Sequence, residues 1–346
     1  MPSLFPFSLR RTLLAALALP ALLTACTGTT EDEQVKIRVA ILTGAGDAAF
    51  LTPVDVGGVI GDQVPVKGAV DIQTVQGGNQ IAVLFGNHLE FRDANLANPT
   101  APLPNPAAPG FKPCYVKLEA STALDRFAAL SDCGGGALQQ VAVWRSDGTL
   151  AFSATLTAPT PTEPLDTHIA VQGDTFWAVH PAIGGGSELL VVTRNSDGSS
   201  TLAPSVLTPN IYGLVFYRGA VYVATDTGVQ TLAASGTLTA LPGETQLATV
   251  NTDLYASTNL LAVWYDDNGN SNALRIWNAT KTGSPNLFTD LRDLTFAPDG
   301  TFYVLNAASM IQYDSSFGLA DTGWREANLA NVVDPRAVTW LIPPAN

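Results

Sequence analysis

Acidic and basic side chains recur just ahead of short apolar runs, and this is the first chemical signal in the chain. Asp290-Leu291-Arg292 leads into one such run. Asp334-Pro335-Arg336 leads into another, offset by 44 residues. Asp71, Asp166 with His168, and Asn210 with Tyr212 hold comparable places. Carboxylates and guanidiniums brought to one rim can grip a small polar ligand through charge-assisted hydrogen bonds. The same groups can also pair with each other and simply cap the fold. Asp71, Asp166, His168, Asp290, Arg292, Asp334 and Arg336 are therefore ligand-binding candidates. No catalytic residue is assigned.

Other chemistries lack a complete motif. The three histidines, His88, His168 and His180, never fall at i, i+3 or i, i+4, so no helical zinc site is expected. No G-x-S-x-G elbow occurs. Ile41–Ala49 contains G-x-G-x-x-A, but Pro53, Gly57 and Gly58 leave no room for the helix whose amides would meet a pyrophosphate. A glycine turn between strands is the expected structure. Asp266–Asn272 is as oxygen-rich as a calcium loop, yet Ser271 stands where the sharp turn needs Gly. An acidic hairpin turn is the stronger reading there, and a surface calcium site the weaker. No other cofactor is expected.

The elements that must position these residues are short strands in repeat. Gln80–Phe85, Arg126–Ser131, Thr175–His180, Ala220–Ala224, Leu260–Tyr265 and Thr301–Asn306 align as one element. Their anchors Ile81, Phe127, Phe176, Val221, Leu261 and Phe302 are spaced 46, 49, 45, 40 and 41 residues apart. Strands precede and follow each anchor strand, with turn signals such as Asp147-Gly148 and Asp197-Gly198 between them. A period in the forties with four short strands per copy predicts an all-β fold, a β-propeller. Asp334–Trp340 matches Asp290–Phe296, so it begins a further blade whose remaining strands must come from the N-terminal side, where Lys36–Leu42 reads as a strand. Six full units and one shared blade make seven; six is the alternative if residues 35–65 only extend an existing sheet. Asn98–Gly110 carries five prolines and is expected to be an exposed loop between blades one and two.

Leu294–Val304, an apolar strand followed by Pro298-Asp299-Gly300 and a second apolar strand, resembles the repeat core of NHL-repeat and regucalcin-like propellers. The likeness spans most of residues 66–342 and is sharp only in this blade. It implies the fold. Regucalcin-like lactonases also hold a metal with carboxylate and amide groups around the axis, and no such ligand set can be placed in this sequence.

The N-terminal segment reads as an address. Arg10-Arg11 is followed by the apolar run Thr12–Leu23, broken by Pro20 and shorter than the ~20 residues that span a bilayer. Leu23-Thr24-Ala25-Cys26 resembles the bacterial lipobox, which implies cleavage before Cys26 and its lipidation. Residues 1–25 are then a lipoprotein signal peptide, 26–34 a flexible tether and 35–346 a single propeller domain. Formal net charge is −13, and loss of Arg10 and Arg11 makes the mature chain more acidic. That argues against nonspecific nucleic-acid binding and docking on anionic lipid. In an exported chain Cys114 and Cys133 are expected to form a disulfide; two free thiols are the alternative.

These features favour a lipid-anchored cell-envelope binding or scaffold module for a protein or small ligand. The alternative is an exported hydrolase or lactonase-type enzyme with a site at the channel mouth. A third class, an envelope-assembly component, has no motif of its own. Three or more acidic or amide groups converging on the axis without ion-pair partners would favour the enzyme. A ring neutralised by Arg292 and Arg336 would favour the scaffold.

Overall fold

Strands alternate with turns along the described residues. The computed structural model describes residues 38–134, 137–157, 167–240, 250–266, 272–277, 282–283, 291–314 and 327–342. They form seven antiparallel sheets around a ring. The innermost strands are Ala69–Thr74, Tyr115–Ala120, His168–Gln172, Gly213–Tyr217, Val250–Ala256, Leu291–Phe296 and Pro335–Leu341, in blades one to seven. Each lies beside its two neighbours all the way round. The fold is a seven-bladed β-propeller.

The predicted anchors explain the packing. Ile81, Phe127, Phe176, Val221, Leu261 and Phe302 are all buried on second strands, opposite inner-strand residues Thr74, Ala120, Val171, Phe216, Ala256 and Phe296. Alternation sends apolar side chains to both faces of each blade, because each face meets a neighbouring blade. Seven separate apolar clusters result, one at every blade interface.

Blade seven closes the ring. Its inner strand Pro335–Leu341 pairs antiparallel with Arg38–Thr43, followed outward by Phe50–Val54 and Val64–Pro65. Gly46–Ala48 is a 3-10 turn between the first two of these N-terminal strands, which accounts for the glycine pattern there. The closing strand is clasped from blade one as well. Ile342 N–H donates to Gly78 O at 2.7 Å. Gly78 has φ +72°, and a Cβ there would lie 2.4 Å from the Trp340 ring, so only Gly allows this approach.

The proline-rich stretch is the exposed loop expected between blades one and two, and its first residues also cover an edge. Blade one has three strands, Ala69–Thr74, Gln80–Phe85 and His88–Asp93. Residues 99–103 cover its outer edge: Thr100 N–H donates to Phe91 O, Leu103 N–H to Leu89 O, and the Leu103 side chain joins the core. Prolines need no ladder donor, so an irregular segment can seal an edge without inviting a further strand. Cys114 and Cys133 form a disulfide that joins the start of blade two's inner strand to the end of its second strand. Residues 1–37, including Cys26, and the acidic turn at 267–271 lie outside the described residues.

Candidate functional site

The inner strands carry a defect at a common height. In blades one, two, five, six and seven the pairing with the second strand slips near the strand's start. Such a bulge adds a residue and re-aims the side chains around it. Arg292 is the extra residue of blade six and Arg336 that of blade seven. The next position inward holds Asp71, Lys117, His168, Gly213, Asp253, Asp293 and Ala337 in blades one to seven. Two residues further along, Glu119 and Tyr255 stand in blades two and five. A central channel of ≈1020 Å³ is lined by Asp71, Lys117, Glu119, Asp253, Tyr255 and Asp293, among others.

Two of these carboxylates have both oxygens engaged by backbone. Asp71 accepts Ile72 N–H at 2.8 Å and, across the interface, Leu118 N–H of blade two at 3.0 Å. Asp293 accepts Leu294 N–H at 2.8 Å and Val338 N–H of blade seven at 2.6 Å. The pattern follows from sequence. Lys117 and Ala337 have no acceptor to offer the N–H that follows them, so the preceding blade supplies it. Among the described residues Asp253 accepts only Leu254 N–H, at 2.9 Å. Among the described residues, Lys117, Glu119 and Tyr255 meet no side-chain hydrogen-bond partner, and no cation stands within 4.0 Å of Asp71, Glu119, Asp253 or Asp293.

Enclosure without a cation in ion-pair contact shifts the titration of the whole group. Burial raises Asp71 to about 6, against the pull of the Leu118 and Ile72 amides, Lys117 and Arg336. Burial raises Asp253 too, opposed by Lys117 and the Leu254 amide. Glu119 and Asp293 are pushed well above the carboxylate range, by burial first and by neighbouring carboxylates in addition. Tyr255 rises for the same reasons. The channel therefore holds carboxyl groups that keep their protons to different pH values, which is what acid–base work at neutral pH needs.

The candidates read from sequence fall into separate places. Asp71 is in the channel wall, as a blade latch. Arg292 and Asp334 meet at the exposed rim, N–O 3.8 Å. Arg336 donates to the Val70 and Ala69 carbonyls at 2.7 and 3.4 Å, tying blade seven to blade one. His168 starts the inner strand of blade three; burial, aided by Lys117, lowers it to about 3, so it is neutral, and its Nδ1 is enclosed without a partner. Asp166 and Asp290 lie outside the described residues. The rim is thus partly self-paired, while the unpaired groups sit deeper. Lys117, Glu119, Asp253, Tyr255 and Asp293 were not singled out in the sequence. Counting back from each anchor, by a distance that varies with the hairpin, was the signal that could have found them. Among the described residues no three His, Cys, Asp or Glu side chains come close enough to share a metal ion; the acids are spread around the ring.

This geometry defines a seven-bladed propeller with an acidic channel mouth. No protein-family model matches the sequence, and neither does any curated protein. Solved structures do share the fold. The periplasmic gluconolactonase PpgL of Pseudomonas aeruginosa is 14% identical, with TM-score 0.60 over 89% of this chain and 99% of that one. Apo AztD of Citrobacter koseri is 13% identical, with TM-score 0.55 over 88% and 98%. The β-propeller domain of the Trilobed protease from Pyrococcus furiosus, described as an open velcro, is 10% identical, with TM-score 0.53 over 87% and 96%. At these identities the likeness is one of fold.

Proposed function

We propose that the protein takes a small, hydroxyl-rich ligand at the acidic mouth of its channel and opens a sugar-derived lactone there. The observation that carries this reading is that Lys117, Glu119, Asp253 and Tyr255 line one cavity and, among the described residues, no partner takes up their free polar atoms. Lactone opening requires a base for the attacking water, donors for the carbonyl oxygen and an acid for the departing ring oxygen. Asp253, with one oxygen open to the cavity, supplies a base. Glu119, which keeps its proton far longer, supplies an acid. Lys117 supplies a positive donor on the same strand as Glu119. The gluconolactonase described for PpgL shares this fold and supports the substrate class.

The test is δ-gluconolactone hydrolysis followed by pH-stat, with native protein and Glu119→Gln. A native rate above the buffer rate, reduced about 10²- to 10⁴-fold in the variant, is expected. A native rate equal to buffer overturns the catalytic reading. The second reading, a binding or scaffold module, is favoured by the self-paired rim of Arg292, Asp334 and Arg336. Calorimetric binding of gluconate without turnover would select it.

We also propose that the mature protein is exported and held to a membrane by lipid on Cys26. The lipobox-like Leu23–Cys26 and the Cys114–Cys133 disulfide support this, since disulfides persist in oxidising compartments. Cys26→Ala should move the protein from the membrane to the soluble fraction. Unchanged membrane association would overturn it.

A further inference from the structure

A second opening lies away from the axis, at the end of the ring where the inner strands begin. It is a cleft of ≈550 Å³ between blade seven and blade one, and it shares no lining residue with the channel. Lys67 and Gly68, just ahead of the inner strand Ala69–Thr74, form one lip. The turn at Gly86-Asn87 and the third strand of blade one, His88–Asp93, form the other. Alternation divides that third strand. Leu89 and Phe91 pack toward blade two, while His88, Glu90 and Arg92 hold the opposite face and line the cleft.

Glu90 and Arg92 are buried, with side chains only 9% and 10% exposed. Arg92 Nε donates to Glu90 Oε1 at 2.8 Å, and Nη1 donates to the Leu96 carbonyl at 3.0 Å. These bonds fix the guanidinium and, among the described residues, leave Nη2 without a hydrogen-bond partner. Glu90 is half-used as well. Its Oε2 stands 3.6 Å from His88 Nε2, beyond hydrogen-bond reach. His88 is held in place, because its ring stacks on Phe85 with centroids 4.4 Å apart and its Nδ1 donates to Asn87 Oδ1 at 2.7 Å. A buried ion pair seldom stabilises a fold more than apolar residues of the same volume would, so stability alone is a poor reason for this one.

Lys67 is exposed at the lip. Lys67 and Arg92 against Glu90 give the cleft an excess of positive charge, in a chain whose formal net charge is −13. An anion is the guest this balance favours, and the half-used groups narrow its kind. We infer that the cleft is a second binding site, which takes a small hydroxylated monocarboxylate. The carboxylate accepts from Arg92 Nη2 and the Lys67 ammonium through charge-assisted bonds. A neighbouring hydroxyl donates to Glu90 Oε2, the acceptor still open. A phosphate dianion fits less well, because it sets a second negative charge against Glu90. The site stands independently of the channel and of any turnover there.

The experiment is ligand-observed NMR titration of the mature native protein with D-glycerate, propionate, glycerol and inorganic phosphate. Glycerate should bind most tightly. Glycerol, which lacks the carboxylate, should bind about 10- to 100-fold more weakly, and propionate, which lacks the hydroxyls, about tenfold more weakly. Gly86→Leu should abolish glycerate binding: a Cβ at Gly86 meets nothing within 4 Å, so the new side chain has room to occupy the cleft. If that variant does not fold, Lys67→Glu changes only the exposed lip and should weaken glycerate about fivefold. Glycerol binding as tightly as glycerate overturns the inference, and so does a glycerate Kd that neither substitution changes. Phosphate binding more tightly than glycerate overturns the carboxylate assignment, and propionate matching glycerate overturns the contact to Glu90.

Discussion

Two pairs of carboxylates share one channel under different constraints. Asp71 and Asp293 each accept two backbone amides and stitch one blade to the next. Glu119 and Asp253 keep one or both oxygens open to the cavity. All four are raised by burial, so a shifted titration alone does not separate a structural acid from a reactive one. What separates them is where their lone pairs go. An engaged carboxylate fixes geometry; one facing the cavity awaits a partner.

Four measurements can break or sharpen that contrast. The largest effect is expected from Glu119→Gln, an about 10²- to 10⁴-fold loss of lactone turnover with little change in urea midpoint. A matching loss of stability would put Glu119 with the latches. Next is Cys133→Ser. The disulfide spans a separation of 19 residues and ties down the strand bearing Lys117 and Glu119, so unfolding free energy should fall by about 3 kcal/mol. Turnover should fall with it if that strand is what positions the open pair.

Asp293→Ala comes third. It leaves the Leu294 and Val338 amides without their acceptor, at about 1–3 kcal/mol for each buried group. Glu119→Ala should cost little or nothing, and equal costs would erase the distinction. The smallest effect is on the pH profile of stability. Asp71 titrates near 3.8 unfolded and about 6 folded, so the native state holds the extra proton and stability falls as pH rises through this window. His168 runs the other way. Its value drops from 6.5 to about 3, so the unfolded chain takes up the proton and stability falls as pH drops below 6.5. Asp71→Asn should therefore steepen the rise of stability with pH between about 4 and 6, and His168→Gln should reverse it. Urea midpoints at several pH values read both, and parallel profiles for native and variants would refute them.

The ring was legible because packing repeats. Phe127, Phe176 and Phe302 fill equivalent interface positions, so their spacing carried the blade count, and Asp334–Trp340 carried the closure. The channel was harder to read. Asp71 and Lys117 lie ten residues before their anchors, Asp293 nine, Asp253 and His168 eight. Hairpins of unequal length and a bulge hide that shared height from a linear alignment. Glu119 and Tyr255 look in sequence like the ordinary polar half of an alternating strand. Only the closed ring turns that half toward an axis. The proline-rich segment could be read as non-strand, but its partner, the open edge at His88–Asp93, becomes visible only through Leu103 and Thr100.

The clasp of blade seven has a consequence for how the chain is made. Ala40 sits opposite Thr339, so the pairing that closes the ring joins segments 299 residues apart. During synthesis, Arg38–Thr43 and Phe50–Val54 emerge early as a fragment with an unfilled inner edge. They wait in that state while six blades form behind them. Closing so long a loop costs only modestly more entropy than closing a short one, but it comes late, and non-local pairing is slow. The early fragment is thus the part of the molecule most exposed to mispairing before completion. Once the clasp is shut, global unfolding has to reopen it.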